Sequence, residues 1–120
     1  MVVERGSKGW RADGLSITWL GDSVRLTVVG EVDVSTRDQF RSALDELLGA
    51  LGDVGLDLQG VSFMDTRGVT LVVHTAKRLH EEGGRLIVHA PPDSLVRIFE
   101  TLWGSDGEWL HISGRRGEPR

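Results

Sequence analysis

The chain has no cysteine, three prolines among 120 residues, and no surplus of basic side chains: 14 Lys+Arg stand against 18 Asp+Glu, a formal net charge of −4. Without cysteine, a secreted disulfide scaffold and thiolate chemistry are excluded. Without a concentrated positive face, general nucleic-acid binding lacks the charge that displaces counterions from phosphates. No stretch approaches the roughly 18 apolar residues of a membrane span, and residues 1–11 carry no apolar core of the kind a signal peptide has, so the expected location is the cytoplasm with no membrane partner. The length leaves room for one domain. A folded chain of this size buries roughly two thirds of the surface its unfolded form exposes, enough for a core without staples.

What is present divides the chain into three parts. Residues 1–14 mix Gly6, Gly9 and Gly14 with scattered charges and no period, which predicts a flexible leader. Residues 113–120, with Arg115-Arg116, read as a disordered polar tail. Between them, Leu15 to Trp19 alternates apolar and polar residues, Gly21-Asp22 signals a turn, and Val24, Leu26 and Val28 repeat every second residue. That pattern predicts a hairpin. Ser35 with Asp38 resembles a capping box, and Phe40, Ala43, Leu44, Leu47, Leu48 and Leu51 follow at helical spacing, predicting a helix over about 36–50.

Val54 to Leu58 reads as a short strand, and Val69, Val72, Val73, Ala76 and Leu79 as one face of a second helix stopped by Gly83-Gly84. Leu86 to Ala90 is a further strand, Pro91-Pro92 can open a third helix with Leu95, Ile98, Phe99 and Leu102 as its stripe, and Leu110 to Ile112 is a last edge strand. The order β-β-α-β-α-β-α-β predicts an α/β fold. Its mixed sheet begins with an antiparallel hairpin and is covered by helices mainly on one face.

Several chemistries find no support. The histidines at 74, 80, 89 and 111 fall on three predicted elements without a pair at metal-ligand spacing, so no metal is expected. Nothing resembles the nucleophile elbow G-x-S-x-G, and Gly83-Gly84 precedes a strand, whereas phosphate-cradling glycines follow one. A phosphorelay receiver domain would need an acidic pair, a phosphoacceptor aspartate and a lysine near the sheet end. Here Asp57 lies inside a strand, and neither of the two lysines, Lys8 and Lys77, comes just after a strand.

The segment Val61-Ser-Phe-Met-Asp65-Thr66-Arg67-Gly68-Val69 joins a strand to a helix. Asp65 or Thr66 can cap that helix. Gly68 costs about 0.5–1 kcal/mol of helix propensity against alanine, and bares backbone where a second protein could approach.

Two motifs now carry a resemblance. Gly30-Glu31-Val32-Asp33 is similar to the G-E-L-D of the STAS domains, and Ser62-Phe-Met-Asp65-Thr66-Arg67-Gly68-Val69 to their S-F-x-D-S-x-G-L. The likeness spans residues 15–112 and is closest to the anti-sigma factor antagonists of bacterial partner-switching pathways. It implies a STAS-like fold and a non-enzymatic binding protein with no cofactor of its own. ATP and Mg²⁺ would belong to the partner, an anti-sigma factor that is also a serine/threonine kinase, and a phosphatase would reset the switch. By position Thr66 is the phosphoacceptor. Glu31, Asp33, Asp65, Thr66, Arg67 and Gly68 are the implied partner-binding residues, on a monomer or weak dimer.

Two positions depart from the family: Thr66 stands where serine is commoner, and Arg67 replaces a small residue. A STAS subunit of an ABC-type lipid transporter, a stressosome-type scaffold, and a small enzyme or nucleotide binder on the same sheet are the alternative readings.

Overall fold

The computed structural model describes residues 2–4, 7–12, 15–20, 25–48, 53–104 and 110–114, with side chains described from residue 25 onward. Strands β1 (Val2–Glu4), β2 (Ser7–Ala12), β3 (Leu15–Leu20) and β4 (Arg25–Val32) pair antiparallel, each with the next. From β4 the pairing turns parallel, through β5 (Asp53–Met64), β6 (Arg85–His89) and β7 (Leu110–Ser113). The seven strands lie in sequence order. Helices α1 (Arg37–Leu47), α2 (Thr66–Glu81) and α3 (Asp93–Leu102) make the three crossovers. When a parallel series advances in one direction with right-handed crossovers, all its helices land on the same face.

Burial follows from that placement. Leu26 and Val28 of β4, Val54, Leu56 and Leu58 of β5, and Leu86 and Val88 of β6 are fully buried and alternate with outward residues. They form one core with Phe40 and Leu44 of α1, Val69, Val72 and Val73 of α2, and Leu95 of α3. Each fully buried side chain of this kind contributes about 1.5–3 kcal/mol. The predicted mixed α/β sheet with one helical face is therefore the fold.

Local details depart from the sequence reading. Residues 1–14 carry β1 and β2, which add strands beyond the predicted hairpin. Antiparallel pairing uses backbone hydrogen bonds and needs no apolar period, so the run Ser7-Lys-Gly-Trp-Arg-Ala12, paired with β1 and β3, gave no strand signal. Strand β5 runs past Leu58 to Met64, where a register shift opposite β4 accommodates Gly60. Helix α1 begins at Arg37 with Thr36 as its N-cap, and no side chain closes a capping box. Ser35 instead bonds to Asp33.

Helix α2 stops as expected: Gly83 takes φ +87°, and the N–H groups of Gly83 and Gly84 donate to His80 O and Leu79 O. Pro92 caps α3 from an extended conformation rather than entering its first turn. Leu102, placed in the apolar stripe of α3, is 56% exposed. The Gly21-Asp22 turn and residues 115–120 lie outside the described residues.

Candidate functional site

The ends of β4 and β5 bring the two motifs side by side. Gly30 has φ +126°, a backbone that L side chains rarely adopt, and sits at a register shift between β4 and β5. Beyond it, Glu31 and Val32 pair with Phe63 and Met64, and the Asp65 N–H donates to Val32 O at 3.0 Å. The segment after β4 is tied by Thr36, only 1% exposed. Its Oγ1 donates to Glu31 O at 2.6 Å and accepts from the Asp33 N–H at 3.1 Å.

Asp33 Oδ1 accepts from the N–H and hydroxyl of Ser35 at 2.9 and 2.7 Å. The Ser35 hydroxyl, then the Ser35 and Thr36 backbone bonds, hold the Asp33 carboxyl below its ordinary pKa, so it is an anion at the rim of the site.

Asp65 caps α2. Its backbone is extended, and its Oδ1 accepts from the Gly68 N–H at 2.8 Å, satisfying one donor that the helix start leaves free. Its Oδ2 lies 3.5 Å from Arg37 Nη2, both side chains being about a quarter exposed at 27% and 28%. A part-solvated pair of this length is worth at most about 1 kcal/mol, yet it links the start of α1 to the start of α2. On the other flank Ser94 Oγ of α3 accepts from the Met64 N–H at 3.1 Å, so all three helices anchor this end of the sheet.

Gly68 departs from its expected role. It is buried, and a Cβ there would lie 2.7 Å from both Met64 Cγ and Val32 Cγ1. The glycine lets α2 approach the end of β4 from within, and does not offer bare backbone to a partner. Thr66 and Arg67, the first two residues of α2, are exposed, as is Glu31, while Asp33 is half-buried. Glu31, Asp33, Asp65, Thr66 and Arg67 thus come to one end of the sheet, where the parallel strands present their carboxyl ends. Val34, 78% exposed, and Phe63, 45% exposed, add apolar area to this end.

Sequence reasoning missed Arg37, Thr36, Ser94 and this apolar pair. The partners of Arg37 and Ser94 are 28 and 30 residues away, so no local spacing announces them. Thr36 could have been found as the hydroxyl directly preceding α1. Among the described residues no group of three or more His, Asp or Glu converges as metal ligands would, and no helix is long and apolar enough to cross a membrane.

The arrangement offers an exposed hydroxyl at a helix N-terminus, directly after the aspartate that caps the helix, with one anchored carboxylate, Asp33, at the same end of the sheet. Comparison with known proteins finds that the family model described as "Mlab, STAS domain" matches residues 15–106. The chain is 33% identical over 86 residues to the anti-sigma-B factor antagonist of Listeria monocytogenes, covering 71% of this chain and 75% of that one. With the anti-sigma-B factor antagonist of Bacillus subtilis it shares 29% over 79 residues, 66% of this chain and 72% of the relative. The structure of the anti-sigma factor antagonist SpoIIAA in its unphosphorylated form superposes with a TM-score of 0.60 at 21% identity, over 82% of this chain and 87% of that one.

Proposed function

The chain belongs to the STAS-domain anti-sigma factor antagonist family, and from that membership we propose that it is a cytoplasmic partner-switching protein whose unmodified form binds a cognate anti-sigma factor and so frees a sigma factor. The anti-sigma factor, acting as a kinase with its own ATP and Mg²⁺, phosphorylates Thr66 and ends the interaction, and a phosphatase restores it. The observation that carries this reading is the placement of Thr66: exposed, first in α2, and directly after the aspartate that caps the helix. The relative SpoIIAA, known in unphosphorylated and phosphorylated forms, supports it.

The physics of the switch is local. A phosphate on Thr66 brings about −1.5 to −2 charges to a helix N-terminus, where the dipole and the free N–H groups of the first turn favour an anion. The fold therefore survives the modification. A partner surface shaped around a neutral hydroxyl meets the same charge with its own acceptors. Like-charge juxtaposition costs several kcal/mol, and each ~1.4 kcal/mol is a tenfold loss of affinity. Glu31 and Asp33, on the same end, present carboxylates that a partner must match, and Val34 and Phe63 supply apolar contact.

Incubation with candidate anti-sigma factor kinases and ATP, followed by mass mapping, tests the assignment. Phosphate is expected on Thr66 of the wild type and is absent in Thr66→Ala; phosphate on another residue, or equal labelling of the alanine variant, overturns it.

A further inference from the structure

Helices α1 and α2 each follow one of two parallel strands, so they run side by side in the same direction, their starts joined by Arg37 and Asp65. Along the seam between them lies an open cavity of about 270 Å³. Leu44, Leu48 and Leu71 form its apolar floor, and Arg41, His74 and Arg78 stand around it against one acid, Asp45. Arg41 and Arg78 are exposed, and neither forms an ion pair with a described residue. The seam is therefore net positive on a chain whose total charge is −4. Arg67 lies four residues before Leu71, on the same side of α2, so the basic stripe continues to the end that carries Thr66.

We infer that this seam is a docking groove for an acidic amphipathic helix of a partner protein. One leucine-sized side chain of that helix enters between Leu48 and Leu71, both only partly buried. Carboxylates on its flanks pair with Arg41 and Arg78. An apolar floor between cationic walls fits this occupant on both counts: anchors at helical spacing fill the floor, and charge of the opposite sign steers and registers the helix. A basic or uncharged helix would leave both guanidinium groups without partners. The groove is a contact separate from the Thr66 hydroxyl and needs no phosphorylation.

The test is an NMR titration of the full ¹⁵N-labelled chain. Its probe is a synthetic helical peptide with leucines on one face and glutamates on the flanks; a matched peptide carries lysine for glutamate. Saturable shifts confined to residues 41–48 and 71–78 are expected with the glutamate peptide and none with the lysine peptide. The double variant Arg41→Glu with Arg78→Glu should bind about tenfold more weakly. Lysine at both positions should keep binding, and Thr66→Ala should leave it unchanged, which separates failure here from failure of the phosphoacceptor assignment. Both arginines are exposed, so the variants should melt with the wild type; if the double glutamate variant does not fold, glutamine at both positions gives the same reading with a smaller effect. Shifts mapping outside the seam, equal binding of both peptides, or unchanged affinity after charge reversal would overturn the inference.

Discussion

Replacing Gly68 with alanine should destabilise this protein, although helix propensity alone forecasts the opposite. Alanine gains at most about 1 kcal/mol over glycine inside a helix. Against that, the new Cβ would sit 2.7 Å from Val32 Cγ1 and 2.7 Å from Met64 Cγ, and both residues are fully buried. Carbon atoms in good contact stand about 3.5–4.0 Å apart, so the intrusion is roughly 1 Å on two sides. Val32 is stiff at χ1, and its carbonyl is held by the Asp65 N–H, which leaves little room to yield.

Overpacking of this kind costs about 1–3 kcal/mol, and because two fully buried side chains are struck at once the upper half of that range applies, for a net loss of about 1–2 kcal/mol after the helix-propensity gain. In a domain of this size that lowers Tm by about 4–8 °C. Scanning calorimetry of Gly68→Ala, Val32→Ala and the double variant measures it. Shortening Val32 removes one clash, so the second substitution should cost less in that background. A rise in Tm for Gly68→Ala, or strict additivity of the two changes, would refute the packing argument.

Other substitutions probe the rest of the site. Asp65→Ala removes the N-cap and the Arg37 pair together, and urea titration should show a loss of about 1–2 kcal/mol, with Asp65→Asn closer to wild type. Because Ser35 holds the Asp33 carboxyl below its ordinary value of 3.8, that group's contribution to stability is present above this pH and is lost as pH falls through the lowered folded value. In Ser35→Ala, carboxyl ¹³C titration should find Asp33 shifted back up toward 3.8; an unmoved titration would remove the hydroxyl as the cause. Thr66→Glu should weaken binding of a cognate anti-sigma factor, with little change in melting temperature, since the charge enters an exposed first helical turn.

How far the sequence could be read depended on the range of the forces involved. The periods of Leu26 and Val28 and of Val69, Val72, Val73, Ala76 and Leu79 reflect burial against one core, so they announced β4 and α2 directly. Asp65 was legible as a cap because its partner, the Gly68 N–H, is three residues away. Gly68 was misread because what crowds it includes Val32, 36 positions upstream and visible only once β4 and β5 pair. Arg37 was invisible for the same reason. Ser35 was taken for the start of a capping box because a hydroxyl there satisfies the pattern equally well whether it faces the helix or, as in the structure, the Asp33 carboxylate.

The claim on which the functional account turns is that one neutral hydroxyl permits docking and its phosphate forbids it. Isothermal titration of a cognate anti-sigma factor with the chain, unmodified and stoichiometrically phosphorylated at Thr66, measures that difference directly. The account predicts at least a hundredfold weaker binding of the phosphorylated form, about 2.8 kcal/mol or more, with the two forms equally folded. Equal affinities would contradict it.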